Sequence, residues 1–172
     1  MSDYEFEQPG LGESTKKTSD PYQDDEKTVL EQLKERLTRK IERPEIEVEV
    51  PERKGVTVRF SPNITHHQMR AWRKKAGDST KAGMDPLQFA CEVIGQTCMA
   101  ILVDGVPVTE DGNNVTFASD SILEWVGASR PIPDGIRSFY GVDPHIEAVA
   151  VTIMEKSGYG DDVEEVDPTT GS

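Results

Sequence analysis

The run "PEIEVEVPERKGVTVRF", residues 44–60, leaves its backbone little choice. Ile46, Val48 and Val50 alternate with glutamates, and Val56, Val58 and Phe60 alternate with Thr57 and Arg59. A period of two puts the apolar side chains on one face of an extended chain, and Pro51 and Gly55 mark a turn between the two halves. The prediction is a two-stranded antiparallel hairpin with one wet face. On that face Glu47 and Glu49 meet Thr57 and Arg59, an ordinary cross-strand surface pairing and not a catalytic carboxylate pair.

Most of the remaining chain has helical periodicity. "TVLEQLKERLTRKI" opens with Thr28 and Glu31 at capping-box spacing, carries Leu30, Leu33, Leu37 and Ile41 on one stripe, and is stopped by Pro44. A second helix runs from about 66 to 76, with Thr65 and Gln68 as capping box, Ile64 stapled onto Met69 and Gly77 as the left-handed stop. Asp85 as N-cap and Pro86 at the first helical position start a third, through about Cys98, whose stripe of Leu87, Ala90, Cys91, Ile94 and Cys98 is widened by Phe89 and Val93. That helix is apolar on most sides and is expected to be central. "AILVDGVPV" and "VTF" read as a short antiparallel meander around an Asp-Gly turn, with Pro107 confining its strand to an edge. Three more helices follow, in "SDSILEWVGA", "PDGIRSFYG" and "DPHIEAVAVTIMEKSG", the last capped by Asp143 and stopped by Gly158. The expected fold is a mostly helical α+β domain with a β-hairpin and a short meander.

Charge sets the predicted limits of that domain. The chain of 172 residues has a formal charge of −13, and the ends supply −10 of it. Residues 1–27 hold eight acidic and three basic side chains, and residues 158–172 hold five acidic and none basic. Segments so acidic and so poor in apolar residues bury too little surface to offset their ordering entropy. Disordered acidic tails are therefore expected at 1–27 and 158–172, around a globular domain at 28–157. No apolar run approaches the roughly 18 residues that cross a bilayer, and "MSDYEFEQPG" is unlike a secretory signal, so no membrane partner is expected. Cys91 and Cys98, seven apart on one helix, lie about 10 Å apart along its axis and cannot bond to each other.

The basic stretch "THHQMRAWRKKAG" invites two functional readings. His66 and His67 point about 100° apart as neighbours on a helix, so they cannot grip one metal as an i, i+4 pair does, and the remaining histidine, His145, is distant. Nucleic-acid readers carry a basic excess over the whole domain, whereas residues 28–157 sum to −3. Met69, Trp72 and Ala76 share one face, leaving Arg70, Arg73, Lys74 and Lys75 to the rim. Cations in a last turn favour the helix dipole, which gives the cluster a local reason to exist. A docking patch for an acidic partner, or for the chain's own acidic ends, fits better than a nucleic-acid surface. No phosphate-binding loop, nucleophile elbow or ligand-spaced Cys/His cluster is present, so neither enzyme nor cofactor is expected.

Several stretches together resemble the tail assembly chaperones of long-tailed, siphovirus-type phages that infect actinobacteria. The likeness runs from about residue 42 to the C-terminus. It rests on "ERPEIEVEVPERKGVTVRF", "NITHHQMRAWRKKAG", "ILVDGVPV", "VTFASDSILEWVG" and "RSFYGVDPHIEAVAVTIMEKSGYG", followed by an acidic segment ending in "DPT" at Asp167 to Thr169. The resemblance implies a protein of the host-cell cytoplasm that holds the helical tape measure protein in solution until tail-tube subunits polymerise around it, and that is absent from the mature virion. It further implies a shorter and a longer, frameshifted product, the longer one recruiting tail-tube protein; this chain would match the shorter. It carries no catalytic residues, and self-association stays open. The surface expected to receive client helices is an apolar groove lined by some of Trp72, Trp125, Phe139 and Tyr140, and for each of these aromatics the alternative is plain core packing; Met69, Arg73 and Lys74 are further candidate partner-binding residues. A head-tail connector, a minor tail protein or a nucleic-acid-binding protein are the rival readings.

Overall fold

The computed structural model describes residues 21–160, with side chains from residue 28 onward. The expected disorder of residues 1–20 and 161–172 lies outside the described residues. Within them the expected boundaries shift, because residues 21–27 are helical and residues 158–160 form a turn. The chain divides into two units, 1–41 and 42–172.

The first unit holds helix α1, Pro21–Thr38. It starts seven residues before the expected Thr28, so Thr28 and Glu31 are interior and cap nothing; an N-cap residue must itself be non-helical. Proline at the first helical position suits the earlier start, since its fixed φ is already helical and it has no N–H to leave unsatisfied. Past Thr38 one more turn-like bond forms, from Arg39 N to Glu35 O at 3.1 Å. The leucine stripe is not buried: Val29, Leu30, Leu33 and Leu37 are 65, 68, 52 and 74% exposed.

The second unit is an α+β domain. Strands β1 (Ile46–Glu49), β2 (Val56–Phe60), β3 (Cys98–Val103) and β4 (Val106–Pro107) form one antiparallel sheet in that order. The β1–β2 hairpin has the register read from its alternation, Val48 opposite Val58 and Glu47 opposite Arg59. Arg59 Nη2 and Glu47 Oε2 are 2.8 Å apart across the wet face. β2 also pairs with β3, Thr57 opposite Leu102, which joins the hairpin and the later strands into a single sheet. The β3–β4 turn places Asp104 at φ 50 and Gly105 at φ 83. Positive φ at both central residues is the type I′ signature, and its twist matches that of paired strands. β4, with Pro107, is an edge strand.

The meander differs in its third piece. Residues 115–117, "VTF", form no strand; a small separate hairpin, β5 (Thr109–Glu110) with β6 (Asn113–Asn114), takes that place. Val115 and Phe117 are instead drawn into the core. Val115 N donates to Val108 O, and Val108 N in turn to Ile101 O on β3.

Helices α2 (His66–Lys75) and α3 (Pro86–Thr97) start as their caps dictate. Thr65 and Gln68 satisfy each other's backbone N–H groups in a full capping box, and Asp85 accepts from the amides of Leu87 and Gln88. α3 is central, packing against α2, α5 (Ile136–Tyr140) and α6 (Asp143–Lys156). Between α4 (Asp120–Val126) and α5 lies a wide π-type turn, Pro131–Gly135, with a cis Ile132–Pro133 bond. Asp143 does not cap α6; Val142 holds that position without a side-chain bond. The Asp143 carboxylate is taken by Arg137, which donates from Nε at 3.1 Å and Nη2 at 2.8 Å.

Val58, Phe60, Trp72, Cys91, Val93, Ile94, Phe117, Ile146 and Ile153 belong to one continuous core. Where the chain enters this unit, Arg43 N donates to Asn63 Oδ1 at 2.8 Å, Asn63 Nδ2 returns a bond to Arg43 O at 2.9 Å, and Arg43 Nη1 donates to Lys156 O at 3.2 Å. Among the described residues no helix is long and apolar enough to cross a membrane.

Candidate functional site

The residues singled out in the sequence separate into three places. Trp72, Phe139 and Tyr140 are core. Trp72 is 5% exposed, and the rings of Phe139 and Tyr140 pack edge-on against each other at 5.4 Å, with Phe117 edge-on to Phe139 at 4.9 Å. Offset and edge-on pairs of this kind add to the stability that burial alone supplies. Burial also pushes the Tyr140 hydroxyl well above its ordinary ionisation range. None of the three has surface to offer a partner. Trp125 is the opposite case, 71% exposed on α4. Lys74 is exposed on α2, and Arg73 there has Asp78 at 3.5 Å. The expected groove joining Trp72, Trp125, Phe139 and Tyr140 is therefore not formed.

Met69 and Arg73 line a different depression. Two apolar hollows, each of about 510 Å³, share Phe89, Met154 and Tyr159 as a common floor. One extends along α3 and α6 through Ala90, Ala150 and Val151. The other is walled by α2 through His66, Met69, Arg70 and Arg73. Positions 66, 69, 70 and 73 are the i, i+3, i+4, i+7 set of one helix face. The capping box that starts α2 at His66 thus also aims its basic side at the hollow. The hollow along α3 and α6 carries two carboxylates on its rim, Glu147 and Glu155, about two turns apart on α6.

Phe89, Met154 and Tyr159 went unrecognised as surface residues. Phe89 was assigned only to the edge of the α3 stripe, and Met154 sits beside the buried Ile153, a local pattern that reads as core. Nothing in the spacing says how far apart α2 and α6 stand, and that distance opens the trough.

No protein-family model, curated protein or solved structure matches this chain. Among the described residues no group of three or more His, Cys, Asp or Glu could hold a metal ion. His66 and His67 are exposed at the start of α2. Cys91 is buried, and its thiol is pushed up to about 12 by desolvation, with Arg137 opposing; Cys98, desolvated likewise, is raised to about 11. The thiolate is the reactive species, so both are inert near neutral pH. Glu92 is the one carboxylate buried on α3. It accepts from Gln88 Nε2 at 3.3 Å and Gln96 Nε2 at 3.4 Å, with Lys75 Nζ at 3.9 Å. Those partners make it a satisfied buried charge on the α2-facing helix.

The trough offers apolar surface with charged side chains at its rim and no cluster of catalytic or metal-binding groups among the described residues. A half-buried phenylalanine, a methionine and a tyrosine floor adapts to varied apolar side chains, methionine being the most pliable of them. Arg70 and Arg73 stand on the α2 side and Glu147 and Glu155 on the α6 side.

Proposed function

We propose that this chain is a phage tail assembly chaperone, which binds the tape measure protein in the host-cell cytoplasm and keeps it soluble until the tail tube polymerises. The trough across α2, α3 and α6 carries the reading. An unassembled tape measure protein presents long amphipathic helices whose apolar stripes aggregate unless covered, and a helix laid in an apolar groove is a recurrent way to cover one. Phe89, Met154 and Tyr159 receive the stripe, and Arg70 and Arg73 on the α2 side and Glu147 and Glu155 on the α6 side meet its flanking charges. The sequence resemblance supports the same role. So does the net charge of −13, which keeps a chaperone and its cargo from precipitating together.

Co-expression with the tape measure protein tests this. The wild type is expected to co-purify with its client and hold it in the soluble fraction. Met154→Glu places a charge on the trough floor at a partly exposed position and is expected to send the client to the pellet. If a Met154→Glu variant with wild-type thermal stability retains the client fully, the trough is not the client site. Abundant copies of this chain in purified virions, seen by mass spectrometry, would overturn the chaperone role itself.

A further inference from the structure

Helix α2 carries Arg70, Arg73, Lys74 and Lys75 and no acidic side chain. Asp78 stands 3.5 Å from Arg73, and Glu92 stands 3.9 Å from Lys75. Arg70 and Lys74 are exposed and have no carboxylate partner among the described residues. The wall that α2 gives the trough is therefore a cationic surface short of counter-charge.

The chain leaves α6 at this same trough. Gly158, at φ 99, stops the helix, and Tyr159 N donates back to Met154 O at 3.2 Å. That bond spans the last helical turn in the Schellman manner, so the chain is turned back on the helix it has just left. Tyr159 thereby sits on the floor common to both hollows, and Gly160 lines the hollow along α3 and α6. Residues 161–172, "DDVEEVDPTTGS", start from that point. They hold Asp161, Asp162, Glu164, Glu165 and Asp167 and no basic residue.

An acidic segment rooted beside a basic wall is the nearest counter-charge that wall has. Its reach is sufficient: extended, residues 161–167 span about 23 Å, whereas the ten residues of α2 are about 15 Å long. A short tether holds it at an effective concentration on the order of millimolar, so contacts too weak to capture a free peptide can still hold this one. Glu147 and Glu155 repel it from the α6 side, which leaves the α2 side. Val163 and Val166 supply apolar side chains for the floor. We propose that residues 161–167 dock on the α2 side of the trough of their own chain, their carboxylates meeting Arg70, Arg73 and Lys74. The docking rests on the trough's own geometry; its consequence, that a client must displace the segment, rests on the function proposed above.

Spin labelling of the full chain tests this with no client present. Cys91 and Cys98 are inert near neutral pH, so Thr170→Cys supplies one reactive thiol for a nitroxide, which broadens the amide signals of residues near it. At low salt the label is expected to broaden residues 66–75 strongly, and high salt is expected to relieve that broadening. The root of the segment already lies near α2, so variants decide the matter. Asp161→Asn, Asp162→Asn, Glu164→Gln, Glu165→Gln and Asp167→Asn together leave the folded body untouched and are expected to remove most of the broadening on α2. Arg70→Gln, Arg73→Gln and Lys74→Gln together are expected to do the same. Broadening unchanged by neutralising the segment overturns the docking, and broadening lost with the first set but kept with the second overturns its placement on α2. Broadening passed from a labelled copy to an unlabelled one assigns the occupant to a second copy and overturns docking within one chain. Failure of client capture in co-expression leaves these signals untouched, so the two readings fail separately.

Discussion

Arg53 sits in the β1–β2 turn and reaches across to the C-terminal end of α5, and its removal should be felt well beyond its exposed position. Its Nε donates to Phe139 O at 2.6 Å and its Nη2 to Ser138 O at 3.2 Å, while its guanidinium carbon lies 5.7 Å from the centre of the Phe139 ring. Those carbonyls belong to the last turn of α5, where helical partners run out and a cation is favoured. The short, partly buried bond is worth about 1–1.5 kcal/mol, at the low end for a charged donor, and the longer exposed one about 0.5 kcal/mol. The guanidinium over the ring adds about 0.5 kcal/mol at an exposed site. Arg53→Ala is therefore expected to cost about 2 kcal/mol, and at about 3–5 °C per kcal/mol for a domain of this size Tm should fall by about 6–10 °C. Arg53→Lys keeps the charge but not the planar fork, and should lose about half as much. Urea denaturation followed by circular dichroism measures both. If Arg53→Ala lies within about 0.5 kcal/mol of wild type, the turn and α5 are held together by apolar packing alone and the accounting above is wrong.

The buried thiols give a pH dependence of known sign. Cys91 and Cys98 have folded-state values raised from 9.0 to about 12 and about 11, so the native state holds protons that the unfolded chain releases. Their contribution is fully present below pH 9 and lost as pH rises towards those folded values, so the urea midpoint should drop between pH 8 and pH 10.5, and drop less in a Cys91→Ala, Cys98→Ala variant. An Ellman assay of the native protein at pH 8 should find no reactive thiol. For the tryptophans, 71% exposure of Trp125 against 5% for Trp72 means that Trp125→Phe should shift fluorescence emission to the blue without changing stability. Emission unmoved in that variant would place Trp125 in a dry contact.

Local chemistry was legible and distance was not. The capping box at Thr65, the Asp85 cap and the register of Glu47 against Arg59 are decided within a few residues, and the structure has them where the spacing puts them. Asp143 looked like a cap by its place before Pro144, but Arg137 lies within reach and a bidentate charged partner outcompetes a helix amide. α4 and α5 have seven and five residues, too few for periodicity to separate an inward aromatic from an outward one. Trp125 and Phe139 thus read alike and ended on opposite sides of the surface. The trough escaped because it belongs to no single element: Phe89, Met69 and Met154 each have an ordinary place on their own helices, and only the spacing of α2 from α6 leaves room between them. The stripe of α1 shows the same limit, since spacing shows that its leucines share a face and is silent on what covers it.

The passage from α3 to β3 has no loop: the helix ends at Thr97 and the strand begins at Cys98. Thr97 pins the joint from both sides, its hydroxyl donating to Val93 O at 2.6 Å and its carbonyl accepting from Ser61 N at 2.9 Å. With no slack residue between them, helix and strand behave as one lever with its pivot at Thr97. Phe89 and Ala90, at the trough end of α3, form one arm and the inner strand of the sheet the other. Anything that tilts the first arm must strain the second, so the floor of the trough is stiff where its methionines are soft.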